Sequence, residues 1–280
     1  MDFTKNHSHD IIHFMYKQFY ELKENPFNVT SDPSFFFSSA HHSEAFSHLT
    51  YGIQQRKGII LITGEIGTGK TTLCRALLNA LDQKTKTAFI LYPNFSELQL
   101  LQMVIKDFGI EVKSKNKSAI ISALNDFLLN ETSHGNNVVL IIDESQNLKE
   151  SQLEQIRLLS NLETEKEKLL QIILVGQPEL CQKLKLTSLR QLNQRISIRC
   201  HIKPLEKTEL KKYVVHRLKI AGSDGKIKFT NEAIDEIYQY SAGTPRLINI
   251  VCDRALLAGF IAETFTIDFA IIKKCVEELE

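Results

Sequence analysis

"GIILITGEIGTGKTTLCRAL", residues 58–77, sets an apolar run against a glycine-rich turn and then a helical pattern. The turn, Gly64-Glu65-Ile66-Gly67-Thr68-Gly69-Lys70-Thr71, fits G-x-x-x-x-G-K-[ST]. Glycines there let backbone N–H groups converge on an anion with no Cβ in the way. A helix opening near Lys70 aims its positive end at the same point. The stretch therefore reads as a nucleotide-phosphate site running from Gly64 to Thr72. Lys70 meets the β- and γ-phosphates, and the Thr71 hydroxyl is a magnesium ligand. ATP and Mg2+ are the expected cofactors. A glycine-rich turn that holds nothing is the alternative, and the strand–turn–helix context weighs against it.

Such a site needs an acid at the end of another buried strand. "VVLIIDESQNL" supplies Asp143 as a magnesium ligand and Glu144 as the group that polarises the attacking water. On its own, Asp143 could equally cap a helix.

The surrounding pattern fits. Short apolar runs fall at 59–63, 87–92, 138–143, 170–176 and 196–202. Such runs, rich in Ile, Leu and Val and mostly without alternation, predict strands buried on both faces of a parallel sheet. Helical stretches lie between them, at 96–109, 117–131 and 149–163. After Leu205 four helices are predicted, over 206–222, 230–243, 244–263 and 266–280. Thr208, Thr230 or Asn231, Thr244 and Thr266 are their candidate caps. Ahead of Gly58, residues 16–27 predict a short helix ended by Asn25-Pro26. Ala45, Phe46, Leu49 and Ile53 predict another that stops near Gly58. The fold class is α/β: a doubly wound parallel sheet of about five strands, then a small all-helical domain. The divisions are 1–57 for a leader and flanking helices, 58–205 for the P-loop core and 206–280 for the helical domain.

The net charge is +1, but it is unevenly placed. Residues 183–228 hold thirteen Lys/Arg against three Asp/Glu, whereas 229–280 hold four against nine. A nucleic-acid surface, subunits meeting with opposite charge, and plain solvated faces all fit this split. The five cysteines form no Cys-x-x-Cys pair, which suits a reducing compartment. No apolar run nears the ~18 residues of a spanning helix, and no signal peptide is visible. The expectation is a cytoplasmic protein without direct membrane insertion. His7, His9 and His13 read as part of a polar leader rather than a metal site, and Met15 is an alternative start.

A P-loop, an Asp-Glu strand and a helical C-terminal domain together resemble the AAA+ ATPases. That resemblance implies further site residues. Gln177, after "LVG", stands where a first sensor of the γ-phosphate is expected, or it simply caps the next helix. Arg195 in "NQRI" is the first choice for an arginine acting in the neighbouring subunit, with Arg190 second and Arg199 also in range. Arg246 in "GTPRLIN" matches a second sensor, with a surface role as the alternative. "FYELKENPFNVTSDPSFFF" (19–37), the P-loop and "GQPEL" narrow the resemblance to the general secretion pathway A-type ATPases, with pilus, exopolysaccharide and sorting relatives. By that resemblance Asn25, Pro26 and Phe27 lie beside the adenine; a helix stop with a buried Phe is the other reading. The chain departs from the pattern at Glu21, where relatives commonly have Gly, and at Ser145, where Ala is usual. Longer members continue into a membrane helix and a wall-binding domain, so a membrane link here is expected to come from a partner.

The resemblance implies a homo-oligomer, peripheral at the inner membrane through a secretion, pilus or polysaccharide partner. The second reading is a DNA-associated regulator like the TnsC/TniB-type transposition ATPases, favoured by the basic segment. The third is a nucleotide-dependent scaffold with little turnover. Nucleic acid is thus a possible partner but not the favoured one.

Overall fold

In a computed structural model of the chain, the described residues are 16–91, 96–114 and 116–279. His7, His9, His13, the alternative start at Met15, and Tyr92 lie outside them. The chain divides into two compact units. One, the α/β unit, comprises Ala40–Ile66 and Lys70–Lys203. The other, the helical unit, takes the described residues up to Ser39, the three residues Gly67–Gly69, and the chain from Pro204 onward.

The α/β unit is built on five parallel strands: β1 Ile59–Gly64, β2 Thr85–Ile90, β3 Asn137–Ile142, β4 Gln171–Gly176 and β5 Ile196–Ile202. Their order is β2-β3-β4-β1-β5. Ile173 lies in register with Ile60 on one side and Ile141 on the other. The central strands β1 and β4 are buried at every residue, as continuous apolar runs predict. The edge strands β2 and β5 are partly exposed, because each has a neighbour on one side only.

Side chains alternate between the two faces. Ile59, Leu61, Val138, Leu140, Ile142, Ile172 and Leu174 share one core cluster. Against them pack α3 (Glu97–Asp107), α4 (Lys117–Ser133) and α5 (Glu150–Leu159). The other face is met by α1 (Ala40–Gln54) and α2 (Lys70–Ala80). Helix α1 lies so close to the sheet that a Cβ on Gly52 would come within 2.6 Å of Ile60 Cδ1. Two short helices, α6 (Pro178–Lys183) and α7 (Arg190–Arg195), complete the unit. Segment 1–57 is therefore not one block. Its α1 buries Ala45, Leu49 and Ile53 in the α/β unit, while residues 16–39 belong to the helical unit.

The helical unit contains α8 (Lys207–Ile220), α9 (Asn231–Ser241), α10 (Pro245–Ile261) and α11 (Phe269–Glu277). It also holds one pairing absent from the sequence reading: Lys228–Phe229 runs parallel to Thr266–Ile267. Two residues are too few to carry a strand pattern. Two of the expected caps also move. Helix α8 is capped at Glu206 rather than Thr208, and α11 at Asp268 rather than Thr266. Thr230 does cap α9, accepting from Ala233 N.

Residues 16–39 are a strap built into this unit. Tyr16 Oη donates to Asp253 Oδ1 (2.9 Å), and Tyr20 Oη to Leu256 O (3.1 Å) and Thr264 O (3.0 Å). The first helix ends well before Asn25, because Glu21 turns the chain at φ 54. Glycine would adopt that conformation without strain. Further on, the strap is held by a buried arginine. Arg217 Nε donates to Pro26 O, Nη2 to Asn28 O (3.0 Å) and Nη1 to Tyr213 Oη (3.1 Å). Its guanidinium also lies over the Phe35 ring, 4.6 Å from the centroid.

Arg217→Ala leaves the Pro26 carbonyl without its donor, and Asn28 O with only Asn249 Nδ2 at 3.4 Å, in a site where the arginine is only 5% exposed. It should destabilise the helical unit by about 2–3 kcal/mol. Denaturant unfolding together with hydrogen exchange over residues 16–39 measures this. Arg217→Lys should not restore stability, because a point charge cannot serve three acceptors set for a planar fork.

Candidate functional site

Three loops meet at the carboxyl ends of β1, β4 and β3, which are neighbours in the sheet. In open parallel sheets, ligands bind beyond such ends. The turn after β1 is the glycine-rich one, and it delivers the chain into α2 at Lys70. Gly67 (φ 79) and Gly69 (φ 94) take the left-handed conformation that the turn requires. Lys70 Nζ folds back over the turn and donates to Gly64 O and Glu65 O, each at 2.8 Å.

Thr71, the next residue of α2, donates to Asp143 Oδ2 at 2.5 Å. Asp143 follows β3 and is 2% exposed. Its Oδ1 accepts from Glu144 N (2.8 Å), so its side chain reaches across to α2 and does not serve as a helix cap. Burial pushes the Asp143 carboxyl above its ordinary range, although the Thr71 and Glu144 hydrogen bonds oppose the shift. Burial also pulls the Lys70 ammonium down, against the nearby carboxylates of Glu144, Asp143 and Glu65. An acid and a base perturbed in this way within one site are the pattern often found at functional sites. The Thr71 hydroxyl and the Asp143 carboxylate are hard oxygen donors already in contact. Such a pair suits magnesium, which keeps several waters and takes only one or two protein ligands.

Glu144 has left-handed backbone (φ 51, ψ 36), a conformation that costs a non-glycine residue of order 1–2 kcal/mol. Strain held in a polar pocket is a mark of function. Glu144 Oε2 accepts from Gln146 Nε2, and Gln177 Nε2 lies 3.5 Å away, the outer limit of a hydrogen bond. Gln177 does occupy the cap position of α6, but its side chain makes no cap bond and faces Glu144 instead. Gln146 escaped the sequence reading. As the third residue of "ESQ" it follows the acidic pair, where nothing in the spacing marks it.

The remaining assigned residues lie elsewhere. Within its own chain, Arg195 Nη1 donates to Ser160 Oγ (3.3 Å) and Asn161 Oδ1. Arg199 Nη2 donates to Asn193 O (3.0 Å), and Arg190 is exposed at the start of α7. In the helical unit, Arg246 is exposed at the start of α10 and its N–H donates to Gly67 O at 3.2 Å. Phe27 is a core residue, 1% exposed and edge-on to Phe229, with ring centroids 6.3 Å apart. It fills the helical unit and offers no face to a base. Pro26 is buried too, while Asn25 keeps a buried Oδ1 with no hydrogen bond among the described residues.

Comparison with known proteins places this geometry. Residues 53–184 match the AAA domain family. The chain is 44% identical over 247 residues to general secretion pathway protein A of Aeromonas hydrophila. That match covers 88% of this chain but only 45% of the relative's length. Among solved structures, Cdc6p of Pyrobaculum aerophilum has a TM-score of 0.66 at 16% identity, covering 88% of this chain and 70% of its own. The ORC2 protein of Aeropyrum pernix, in ADPNP and ADP complexes, has 0.64 at 15%, covering 84% and 66%. The RuvB branch-migration motor of Thermotoga maritima has 0.57 at 18%, covering 85% and 68%. These three share the fold, an AAA+ P-loop NTPase arrangement. No helix among the described residues is long and apolar enough to cross a membrane.

The raised carboxyl of Asp143 carries a stability consequence. Its folded-state pKa lies above its unfolded one, so the native state favours the protonated form. Stability falls as pH rises through the folded pKa. Asp143→Asn, which keeps an acceptor for Glu144 N, should therefore raise Tm of the nucleotide-free protein at neutral pH. The gain should fade as pH drops below the ordinary carboxylate pKa of about 3.9. Thermal unfolding of both proteins across pH checks the sign.

Proposed function

We propose that this chain, whose residues 53–184 belong to the AAA domain family, binds and hydrolyses ATP with magnesium and works as an oligomer. Its role is to drive or regulate assembly of a secretion, pilus or polysaccharide-export apparatus from the cytoplasmic side, reaching the membrane through a partner protein. The observation that carries the chemistry is the Thr71–Asp143 contact, with Lys70 in the turn and Glu144 beside it. The pathway rests on the name of the relative from Aeromonas hydrophila, of which this chain spans less than half.

In this reading Lys70 turns from the two carbonyls it now holds toward the β- and γ-phosphates. Thr71 and Asp143 hold magnesium, which supplies charge neutralisation when bound. Glu144 accepts a proton from the attacking water, and Gln177 senses the γ-phosphate. Arg246 serves as second sensor. Arg195 acts in the neighbouring subunit after leaving Ser160 and Asn161, with Arg190, already exposed, as the substitute.

The DNA-associated reading draws on the basic segment 183–228, but that segment is shared between the two units, and Arg217 within it is buried in a structural role. Affinity for duplex DNA that falls steeply with salt would favour it over the secretion reading.

Lys70→Ala should abolish tight binding of a fluorescent ATP analogue, and Glu144→Gln should retain binding while turnover collapses. Equal turnover in Glu144→Gln and wild type would move the base elsewhere. For the oligomer, light scattering with a non-hydrolysable ATP analogue should show assembly, and specific activity should rise with protein concentration. An arginine acting in trans typically supplies ~10³–10⁵ in rate, so Arg195→Ala should cost turnover far more than binding. If Arg190→Ala alone does so, the substitute is the finger.

A further inference from the structure

We propose that Gln146 is a positioning residue that holds the Glu144 carboxylate in its working orientation and ties it to Gln177. The inference rests on Glu144 being the base. Three contacts fix Gln146, and a fourth anchors Leu148 beside it. Its Nε2 donates to Glu144 Oε2, and its Oε1 accepts from Gln177 N at 3.1 Å. Its backbone carbonyl and that of Leu148 both accept from Lys183 Nζ, at 2.5 and 2.8 Å. The side-chain amide has one orientation compatible with both partners. Flipped, it would set an oxygen against a carboxylate and an NH2 against an N–H. The backbone clamp from α6 and the two-ended amide leave little freedom.

Room for this arrangement comes from the end of β4. A Cβ on Gly176 would lie 2.9 Å from Gln146 Oε1, 2.9 Å from Leu180 Cδ2 and 3.3 Å from Gln146 N. A side chain at 176 would push Gln146 off its partners. The glycine before Gln177 thus serves the neighbouring loop rather than its own backbone.

The consequence falls on the carboxylate. Both glutamine amides, of Gln146 and Gln177, approach Oε2 of Glu144. Oε1 has no protein partner among the described residues and is the oxygen left to take a proton from water. Glu144 sits on a left-handed residue followed by a 3-10 turn, so its own backbone gives the side chain no helical packing to lean on. An external donor is what sets its rotamer.

The test is Gln146→Glu, which keeps the shape and an acceptor for Gln177 N but replaces the donor with a second carboxylate. ATP-analogue affinity and KM for ATP should stay within about twofold of wild type. We expect kcat to fall by roughly 10–100-fold, a part of the ~10²–10⁴ that a general base contributes, while KM holds. Gly176→Ala, which alters no hydrogen-bonding group, should lower kcat in the same direction. In the double variant Glu144→Gln/Gln146→Glu, turnover should be no slower than in Glu144→Gln alone. Wild-type kcat in Gln146→Glu, with Glu144→Gln inactive, would overturn the positioning role and leave the base intact. Wild-type turnover in Glu144→Gln would remove the base assignment and this inference with it. A parallel loss of affinity and kcat in Gln146→Glu would reduce Gln146 to a structural residue.

Discussion

Lys70 carries an ammonium into the glycine-rich turn, where it is 7% exposed and met by two backbone carbonyls instead of an acid. A few residues away in space, Asp143 is more deeply buried and is answered by a hydroxyl and an N–H. Burial works against the charge of both. Neither is relieved within the described residues, since their attraction for each other only partly offsets their desolvation. The lysine has the charge to meet an anion and the aspartate the oxygens to meet a cation. The rest of the α/β unit can be understood as the frame that keeps these two groups apart and unsatisfied. The apolar strands β1 and β3, with β4 between them, carry them to the same carboxyl edge of the sheet.

The same unit stores strain next to that pair. Glu144 occupies a backbone region better suited to glycine, and its side chain is then fixed by a glutamine two residues on. Backbone cost and side-chain restraint at one residue fit a group selected for where its oxygen lies, not for what it adds to the fold.

The helical unit solves a different problem. Its buried arginine has no carboxylate partner among the described residues, yet it is paired, because the chain from Pro26 to Asn28 presents carbonyls to it in the fork geometry a guanidinium needs. Tyr213, whose Oη accepts from Arg217 and donates to Asn249 Oδ1 at 2.8 Å, extends the network into α10. Through it the N-terminal strap becomes part of a core formed more than 170 residues later in the chain. Within the "NPF" segment Phe27 packs against Phe229 and the Pro26 carbonyl accepts from Arg217, while Asn25 Oδ1 is buried with no hydrogen bond among the described residues.

The α/β architecture was legible in the sequence because its signals are local. Unalternated runs such as "IILIT" and "VVLIID" can be stable only when covered on both faces, and the glycine spacing around Lys70 answers to the geometry of a single turn. The four helices after Leu205 carry their own periodicity. The Asp143–Glu144 pair could be read as well, since it ends such a strand. What tertiary structure alone decided depends on residues distant in sequence. The strand order, the assignment of 40–54 to one unit and 16–39 to the other, and the short pairing of Lys228–Phe229 with Thr266–Ile267 are of this kind. So are the tether of Arg195 to Ser160, the burial of Arg217 inside a stretch that reads as uniformly basic, and the reach of Gln146 across Gly176 to Gln177. Polar side chains have no periodicity that announces their partners. Which of them is a solvated charge, a strap anchor or a brace for a base is set by which backbone the fold brings within about 3 Å, the length of a hydrogen bond.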